Sequence, residues 1–237
     1  MRRLTPLLFA LALLAPAQGL RAGDADPVVV ELFTSQACPA CPAAEAYLRE
    51  LAGRGDVVAL EYHIDYYDYS GWKDPFGKPD FTERWHAYAQ TLGARYEYTP
   101  LMVVGGAAHA VGSEREDVEQ HIRQRQIEAT QHPRMTLSIV DGAAVVTIDG
   151  AGPAENFDVL LATYDRRHET RVTAGENRGK TLINANVVRD FRRIAQWSGE
   201  PVTVRIPLDG TAGDGGCAVL LQRAGGGPVL AAETVRF

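Results

Sequence analysis

The chain has 237 residues, 46% of them hydrophobic, and a formal net charge of −6 at pH 7. A chain of this length can bury a sizeable core in one large or two small domains, so its fold does not depend on disulfides. The excess of acidic residues repels a phosphate backbone, which argues against nucleic acid as a partner.

The first residues have the pattern of a secretory signal peptide. Arg2 and Arg3 give a positive start, an apolar run covers residues 7–15, and Ala15-Pro16-Ala17 offers a cleavage site. We therefore expect a signal peptide over residues 1–17, with a cut near Ala22 as the alternative, and an exported protein, periplasmic or secreted. Two arginines and no acidic residue leave with it, so the net charge of −6 becomes −8. The apolar run is shorter than the roughly 20 residues of a membrane-spanning helix, so no stable membrane anchor is expected after cleavage.

Residues 26–131 alternate between strand-like and helix-like patterns and form the first predicted domain. Two strands joined by a helix pair in parallel, and the order β-α-β-α-β-β-α is that of a thioredoxin-like domain. The predicted elements are strands at Val28–Phe33 and Val57–Ile64, helices at Pro42–Ala52 and Phe81–Leu92, a hairpin of Leu101–Val104 and Ala107–Val111, and a helix from Ser113 to about Gln131.

Residues 132–237 consist mostly of strand and turn patterns and are predicted to form a second, sandwich-like antiparallel β domain. Asn186–Trp197 also fits a helix, but its position among strands favours a bulged strand. The other predicted strands are Met135–Val140, Ala143–Asp149, Phe157–Tyr164, Pro201–Ile206, Cys217–Arg223 and Val229–Phe237.

Cys38 and Cys41 form a C-x-x-C motif between the first predicted strand and the first predicted helix. At a helix N-terminus, unpaired N–H groups and the helix dipole favour a thiolate, which is the attacking species in disulfide exchange. Cys41 lies one turn further on, close enough to resolve a mixed disulfide. A structural disulfide is one alternative. A copper(I) site is another, since soft thiolates select copper(I) and His63 in the second strand offers a third ligand.

The residue types at four positions suggest further functional roles. Glu31 in the first buried strand is a candidate for proton transfer, or else a strand-end carboxylate that faces water or an arginine. His63 and Asp65 are a candidate acid–base or metal pair, although a lone strand histidine is more often structural. Trp72, in a loop rich in aromatic and acidic residues, is a candidate for substrate binding, and the alternative is that its ring fills the edge of the core.

The third cysteine, Cys217, lies in an apolar strand of the second half. Its expected state is a buried, inert side chain, and a resolving role with Cys41 is the alternative.

Four stretches resemble an uncharacterised family of secreted bacterial proteins with a thioredoxin-like fold, the domain of unknown function 1223. They are VVVELFTSQACPACPAAEAYL, YHIDYYDYSGWKDPF, YTPLMVVGG and GENRGKTLINANVVRDF. The thioredoxin-like resemblance implies that Cys38 attacks, Cys41 resolves and Thr99-Pro100 is a cis bond beside the pair. The Thr99 backbone would then be free to pair with a substrate strand. Pro39-Ala40 between the cysteines matches neither thioredoxin nor oxidase-type motifs, so the direction of electron flow stays open.

We therefore expect an exported thiol–disulfide oxidoreductase that acts on protein thiols through Cys38 and Cys41. It needs no bound cofactor, but a redox partner must recharge the pair. The alternative is a copper(I)-binding or partner-docking module that uses the same scaffold without redox turnover.

Overall fold

A computed structural model of the chain describes residues 26–128, 133–149, 155–208 and 213–237. The predicted signal peptide and the predicted domain boundary at residues 131 and 132 lie outside the described residues. The fold is mixed α/β, with a large sheet and few helices. The helices are α1 (Pro42–Leu51), α2 (Pro79–Thr91) and α3 (Arg115–Glu128), with a short 3-10 helix at Asp68–Ser70.

The strands alternate with the helices in the first half and follow one another in the second. They are β1 (Val28–Thr34), β2 (Val57–His63), β3 (Leu101–Val104), β4 (Ala108–Val111), β5 (Arg134–Val140), β6 (Ala143–Asp149), β7 (Phe157–Arg171), β8 (Thr181–Trp197), β9 (Val202–Pro207), β10 (Gly216–Arg223) and β11 (Val229–Arg236).

The predicted element order of the first half, β-α-β-α-β-β-α, is confirmed. β1 and β2 pair in parallel, from Val28 opposite Val57 to Thr34 opposite His63. β3 pairs antiparallel with β1, and β4 forms a hairpin with β3. Gly105 and Gly106 make that turn at φ 59° and 62°, a region that favours glycine.

The second half does not stand apart from the first, because four of its strands extend the same sheet. The eight-stranded order is β11-β10-β7-β8-β2-β1-β3-β4, and β8 joins β2 in parallel at Val187 opposite Glu61. Periodicity alone gave no sign of this joining of the two halves. An open β2 edge would leave backbone groups unpaired, and β8 covers it.

The remaining strands form a three-stranded sheet in the order β5-β6-β9. Its apolar side chains, such as Val146 and Ile148, pack against Val159, Leu161 and Val219 of the large sheet. The C-terminal strands therefore form two layers, one of which belongs to the sheet of the first half.

The segment from Asn186 is a bulged strand, as predicted, and not a helix. β8 pairs antiparallel with β7, with register shifts at Val159/Leu160 and Thr163/Tyr164. Asn186 has φ 51°, and its side-chain amide donates to the Ala59 carbonyl. β7 extends past its predicted end to Arg171.

β1 is buried on both faces, which makes it the centre of the first half. Val30 and Leu32 face the core shared with α1 and α3, whereas Val29 and Phe33 face the core shared with α2. Each such side chain contributes about 1.5–3 kcal/mol to folding through burial. None of the helices in the described ranges is both long and apolar enough to cross a membrane.

Candidate functional site

Cys38 and Cys41 form a disulfide at the start of α1, with their Cα atoms 5.5 Å apart. Cys41 is the N-cap of α1 and Pro42 stands in its first turn, where a missing N–H costs nothing. The Cys38 N–H donates to the Ser35 carbonyl at 3.0 Å, and the Cys41 N–H donates to the Cys38 carbonyl at 3.3 Å. These bonds fix the turn that carries both sulfurs.

The disulfide lies just beneath the surface. Cys38 is 3% exposed and Cys41 is fully buried, while Pro39 and Ala40 between them are exposed. Cys38 is therefore almost closed off from solvent, and exchange at its sulfur requires this turn to open.

The Thr99-Pro100 peptide bond is cis, and Pro100 is buried. The Thr99 hydroxyl donates to Cys38 Sγ at 3.3 Å. The structure therefore brings together Cys38, Thr99 and Pro100, although 61 positions separate the first two in sequence.

Trp72 lies at the same site. It is half-buried, and its indole N–H donates to the Gln36 side-chain carbonyl at 3.3 Å. Gly175 stands against it so closely that a Cβ there would lie 3.0 Å from Trp72 Cβ. Trp72 thus fills the space between the Gln36 segment and the loop that follows β7.

That loop, residues 172–180, brings Asn177 to the turn that carries Cys38 and Cys41. Asn177 is fully buried, and its side-chain amide donates to the Gln36 carbonyl at 2.9 Å and the Cys38 carbonyl at 2.8 Å. Lys180 Nζ donates to Asn177 Oδ1 at 2.8 Å. Sequence reasoning missed both residues, although both lie in the quoted GENRGK stretch, where two glycines and polar side chains indicate a loop.

Glu45 lies one turn beyond Cys41, and its N–H donates to the Cys41 carbonyl at 3.1 Å. Its side chain is buried and accepts the Thr34 hydroxyl at 2.8 Å. Burial, reinforced by the nearby Glu61, raises the pKa of Glu45 to about 8. Glu45 is therefore a neutral carboxylic acid at pH 7. It was also missed, since an acid in the first turn of a helix ordinarily faces solvent.

His63 is buried between two carboxylates. Its Nδ1 lies 2.7 Å from Asp74 Oδ2 and its Nε2 lies 3.4 Å from Glu61 Oε1. Burial alone would lower the pKa of His63, but Asp74 and Glu61 raise it well above its usual value, so the ring is an imidazolium. The predicted pairing with Asp65 is wrong: the chain leaves β2 after His63, and Asp65 instead accepts the Thr82 hydroxyl.

Gln36 links this buried charge cluster to the cysteines. Its backbone N–H donates to Asp74 at 2.7 Å, and its side-chain amide donates to Asn184 Oδ1 at 3.1 Å. Asn184 in turn donates to Glu61 at 2.6 Å. The segment that leads to Cys38 and Cys41 is thus anchored to β2 and β8 through buried hydrogen bonds.

Glu31 lies away from this cluster. It belongs to the alternate residues of β1 that face α2, whereas α1 packs on the other face. Its carboxylate accepts two hydrogen bonds from Arg84, at 2.9 and 3.0 Å, and one from the Tyr88 hydroxyl at 2.6 Å. The structure therefore pairs Glu31 with an arginine and does not bring it to the disulfide.

Cys217 is fully buried in the core between the two sheets and is unbonded. Burial raises the pKa of its thiol to about 11, so it is protonated at neutral pH. In the described parts of the chain, no cluster of three or more His, Cys, Asp or Glu side chains is arranged to hold a metal ion.

The solved structures include two similar to this chain. A crystal structure of a protein from Agrobacterium tumefaciens is 32% identical, with a TM-score of 0.79, and the match covers 91% of this chain and 96% of that one. HBP35 of Porphyromonas gingivalis shares the fold at 17% identity and a TM-score of 0.59, over 90% of this chain and 76% of that one. No curated protein matches the chain. The sequence model of the family described as "Protein of unknown function (DUF1223)" matches residues 29–222, so the chain belongs to this family.

Proposed function

We propose that the protein is an exported thiol–disulfide oxidoreductase with a thioredoxin-like redox centre. The observation that carries the proposal is the Cys38–Cys41 disulfide at the start of α1, with Thr99 of the cis Thr99-Pro100 bond donating to Cys38 Sγ at 3.3 Å. The order β-α-β-α-β-β-α and the parallel β1–β2 pair support the thioredoxin-like arrangement. The signal-peptide pattern in residues 1–17 supports export.

From the oxidised state, exchange begins when a thiolate of a client protein attacks Cys38 Sγ. The Cys38–Cys41 bond breaks, a mixed disulfide forms on Cys38, and Cys41 leaves as a thiolate that takes up a proton. A second client thiolate attacks the client sulfur of the mixed disulfide and releases Cys38 as a thiolate. The client loses two electrons and the cysteine pair gains them, and the reverse sequence reduces a client disulfide.

Cys38 is the sulfur that exchanges with clients because its surroundings stabilise a thiolate. It precedes the N-terminus of α1, where the helix dipole favours negative charge. The Thr99 hydroxyl adds a hydrogen bond to the sulfur. The exposed Pro39-Ala40 turn marks the side from which a partner approaches. Because Cys38 is only 3% exposed, we expect exchange to require a local opening of this turn.

Glu45 is the proposed proton source for Cys41, in place of Glu31. It lies one turn from Cys41 on α1, and its raised pKa keeps it protonated at neutral pH. A carboxylic acid in that state donates a proton to the leaving Cys41 thiolate. In the reverse direction, its carboxylate accepts the proton of the Cys41 thiol.

The proposed partners are a protein dithiol or disulfide as client and a redox carrier that recharges the pair. No cofactor takes part in the steps above. The test is an insulin-reduction assay and a thiol-oxidation assay with wild type and Cys38→Ala side by side. We expect exchange by wild type and a background rate for the variant, and equal rates would overturn the proposal. Stoichiometric copper(I) binding by the reduced protein, lost with either cysteine and without any exchange activity, would establish the copper-binding alternative instead.

A further inference from the structure

Asn177 is placed to control the turn that carries Cys38. It is fully buried, although it lies on a loop, and both hydrogens of its amide reach backbone carbonyls. Those carbonyls belong to Gln36 and Cys38, which are two residues apart at the start of the turn that carries both cysteines. A planar amide that donates to both carbonyls fixes their relative orientation.

The second contact of Asn177 brings a positive charge to the same place. Lys180 Nζ donates to Asn177 Oδ1 at 2.8 Å, while the lysine itself is exposed. A cation on the amide oxygen polarises the amide and strengthens the two hydrogen bonds that its N–H groups donate. These hydrogen bonds connect the ammonium group of Lys180, through the side-chain amide of Asn177, to the carbonyl of Cys38.

We propose that Asn177 and Lys180 are positioning residues that favour the reduced, thiolate form of Cys38. The proposal rests on the redox function proposed above and adds a contribution from the second half of the chain. A carbonyl oxygen near a sulfur opposes negative charge there. The hydrogen bond from Asn177 neutralises much of that partial charge on the Cys38 carbonyl, and Lys180 adds a net positive field. Both effects stabilise the thiolate and therefore shift the pair toward reduction.

The experiment measures the equilibrium of the pair with dithiothreitol redox buffers, together with the thiolate absorbance of Cys38 against pH. The variants are Asn177→Ala and Lys180→Ala. Arg178→Ala is the matched control, because it removes an exposed positive charge from the same loop and keeps the hydrogen bonds of the Asn177 side chain to Gln36, Cys38 and Lys180. Lys180→Arg should restore the charge and most of the effect.

We expect Asn177→Ala to shift the equilibrium constant toward the disulfide by about tenfold, which is about 30 mV for a two-electron couple. We expect Lys180→Ala to shift it the same way by about threefold, as for one charged contact at the surface, and Arg178→Ala to leave it unchanged. A lower melting temperature of Asn177→Ala with an unchanged equilibrium constant would mean a purely structural role and would overturn the proposal. Lys180→Ala removes only an exposed side chain, so it keeps the test open if Asn177→Ala does not fold.

The equilibrium needs no client protein, so the two proposals fail separately. Shifts in these variants without any turnover of protein substrates would leave this inference standing and remove the enzymatic function. Turnover by wild type with no shift in either variant would support the enzymatic function and overturn the role of Asn177 and Lys180.

Discussion

The carboxylate of Asp74 contacts the imidazole of His63 and, through the same oxygen, the backbone N–H of Gln36, each at 2.7 Å. One buried side chain thus joins the end of β2 to the segment that leads to Cys38 and Cys41. Glu61 approaches the other side of the ring at 3.4 Å. The buried charged residues His63, Asp74 and Glu61 therefore hold the segment that leads to the cysteine pair.

Asp74→Asn should destabilise the fold strongly. Burial raises the pKa of Asp74, but the His63 imidazolium and the N–H groups of Gln36 and Phe76 lower it more, to below its usual 3.8. The contribution of Asp74 to stability is therefore present above pH 3.8 and is lost as the pH falls through the lower, folded pKa. At pH 7 we expect a loss of about 3 kcal/mol in urea unfolding, as for a broken buried ion pair.

The control for that substitution is Asp117→Asn on the exposed surface of α3. It should change the free energy of unfolding by less than about 0.5 kcal/mol. Equal effects of the two substitutions would contradict the assigned His63–Asp74 pair.

Glu45→Gln should change how stability depends on pH. The folded pKa of Glu45 is about 8 and its ordinary value is 4.5, so between these values the folded protein holds a proton that the unfolded chain has released. Stability of the wild type therefore falls as the pH rises from 4.5 to 8, by up to about 5 kcal/mol relative to the variant. Urea titrations of both proteins across this range measure the difference.

Glu50→Gln, on the exposed side of the same helix, controls for the loss of an acid from α1. Its difference from wild type should stay constant across that range. A constant difference for Glu45→Gln as well would show that Glu45 is ionised in the folded protein, against the role given to it here.

Thr99→Val should raise the pKa of the reduced Cys38 thiol. The substitution removes the hydroxyl that donates to Cys38 Sγ and keeps the shape of the side chain. We expect a rise of about one unit, the effect of one lost hydrogen bond. Alkylation rates against pH give the value. Thr99→Ser keeps the donor and should match wild type, whereas equal values for Val and Ser would count against the hydrogen bond.

Glu31→Gln should lower the stability of the fold without changing disulfide exchange. Glu31 pairs with Arg84 on the face of β1 that packs against α2, so the substitution leaves a buried guanidinium without its charge partner. We expect a loss of about 3 kcal/mol in the free energy of unfolding. The exchange rate per folded molecule should not change. A specific loss of exchange in a fully folded variant would return Glu31 to the proton-transfer role.

Local patterns predicted most of the elements of the first half. Such patterns reflect structure that forms within a few neighbouring residues. Examples are the apolar run of Val28–Phe33, the helical stripe after Pro42 and the two glycines after Val104. The position of Cys38 and Cys41 between a strand and a helix could be predicted for the same reason.

Long-range contacts could not be predicted in this way. Asn177 contacts the Cys38 carbonyl across 139 positions, and no periodicity records such a pairing. His63 pairs with Asp74 rather than its neighbour Asp65, because the loop after β2 folds back. The joining of β8 to β2 depends on which sheet edge is free, and that is a property of the assembled fold.

The most direct measurement of the central claim is the trapping of a mixed disulfide. The reduced Cys41→Ser variant is mixed with an oxidised protein client such as insulin, alongside Cys38→Ser, and the products are separated without reductant and identified by mass. Exchange through Cys38 predicts a covalent adduct of Cys41→Ser through Cys38 and no adduct of Cys38→Ser. Absence of the adduct from Cys41→Ser, or equal trapping by both variants, would contradict the assignment of Cys38 as the exchanging sulfur.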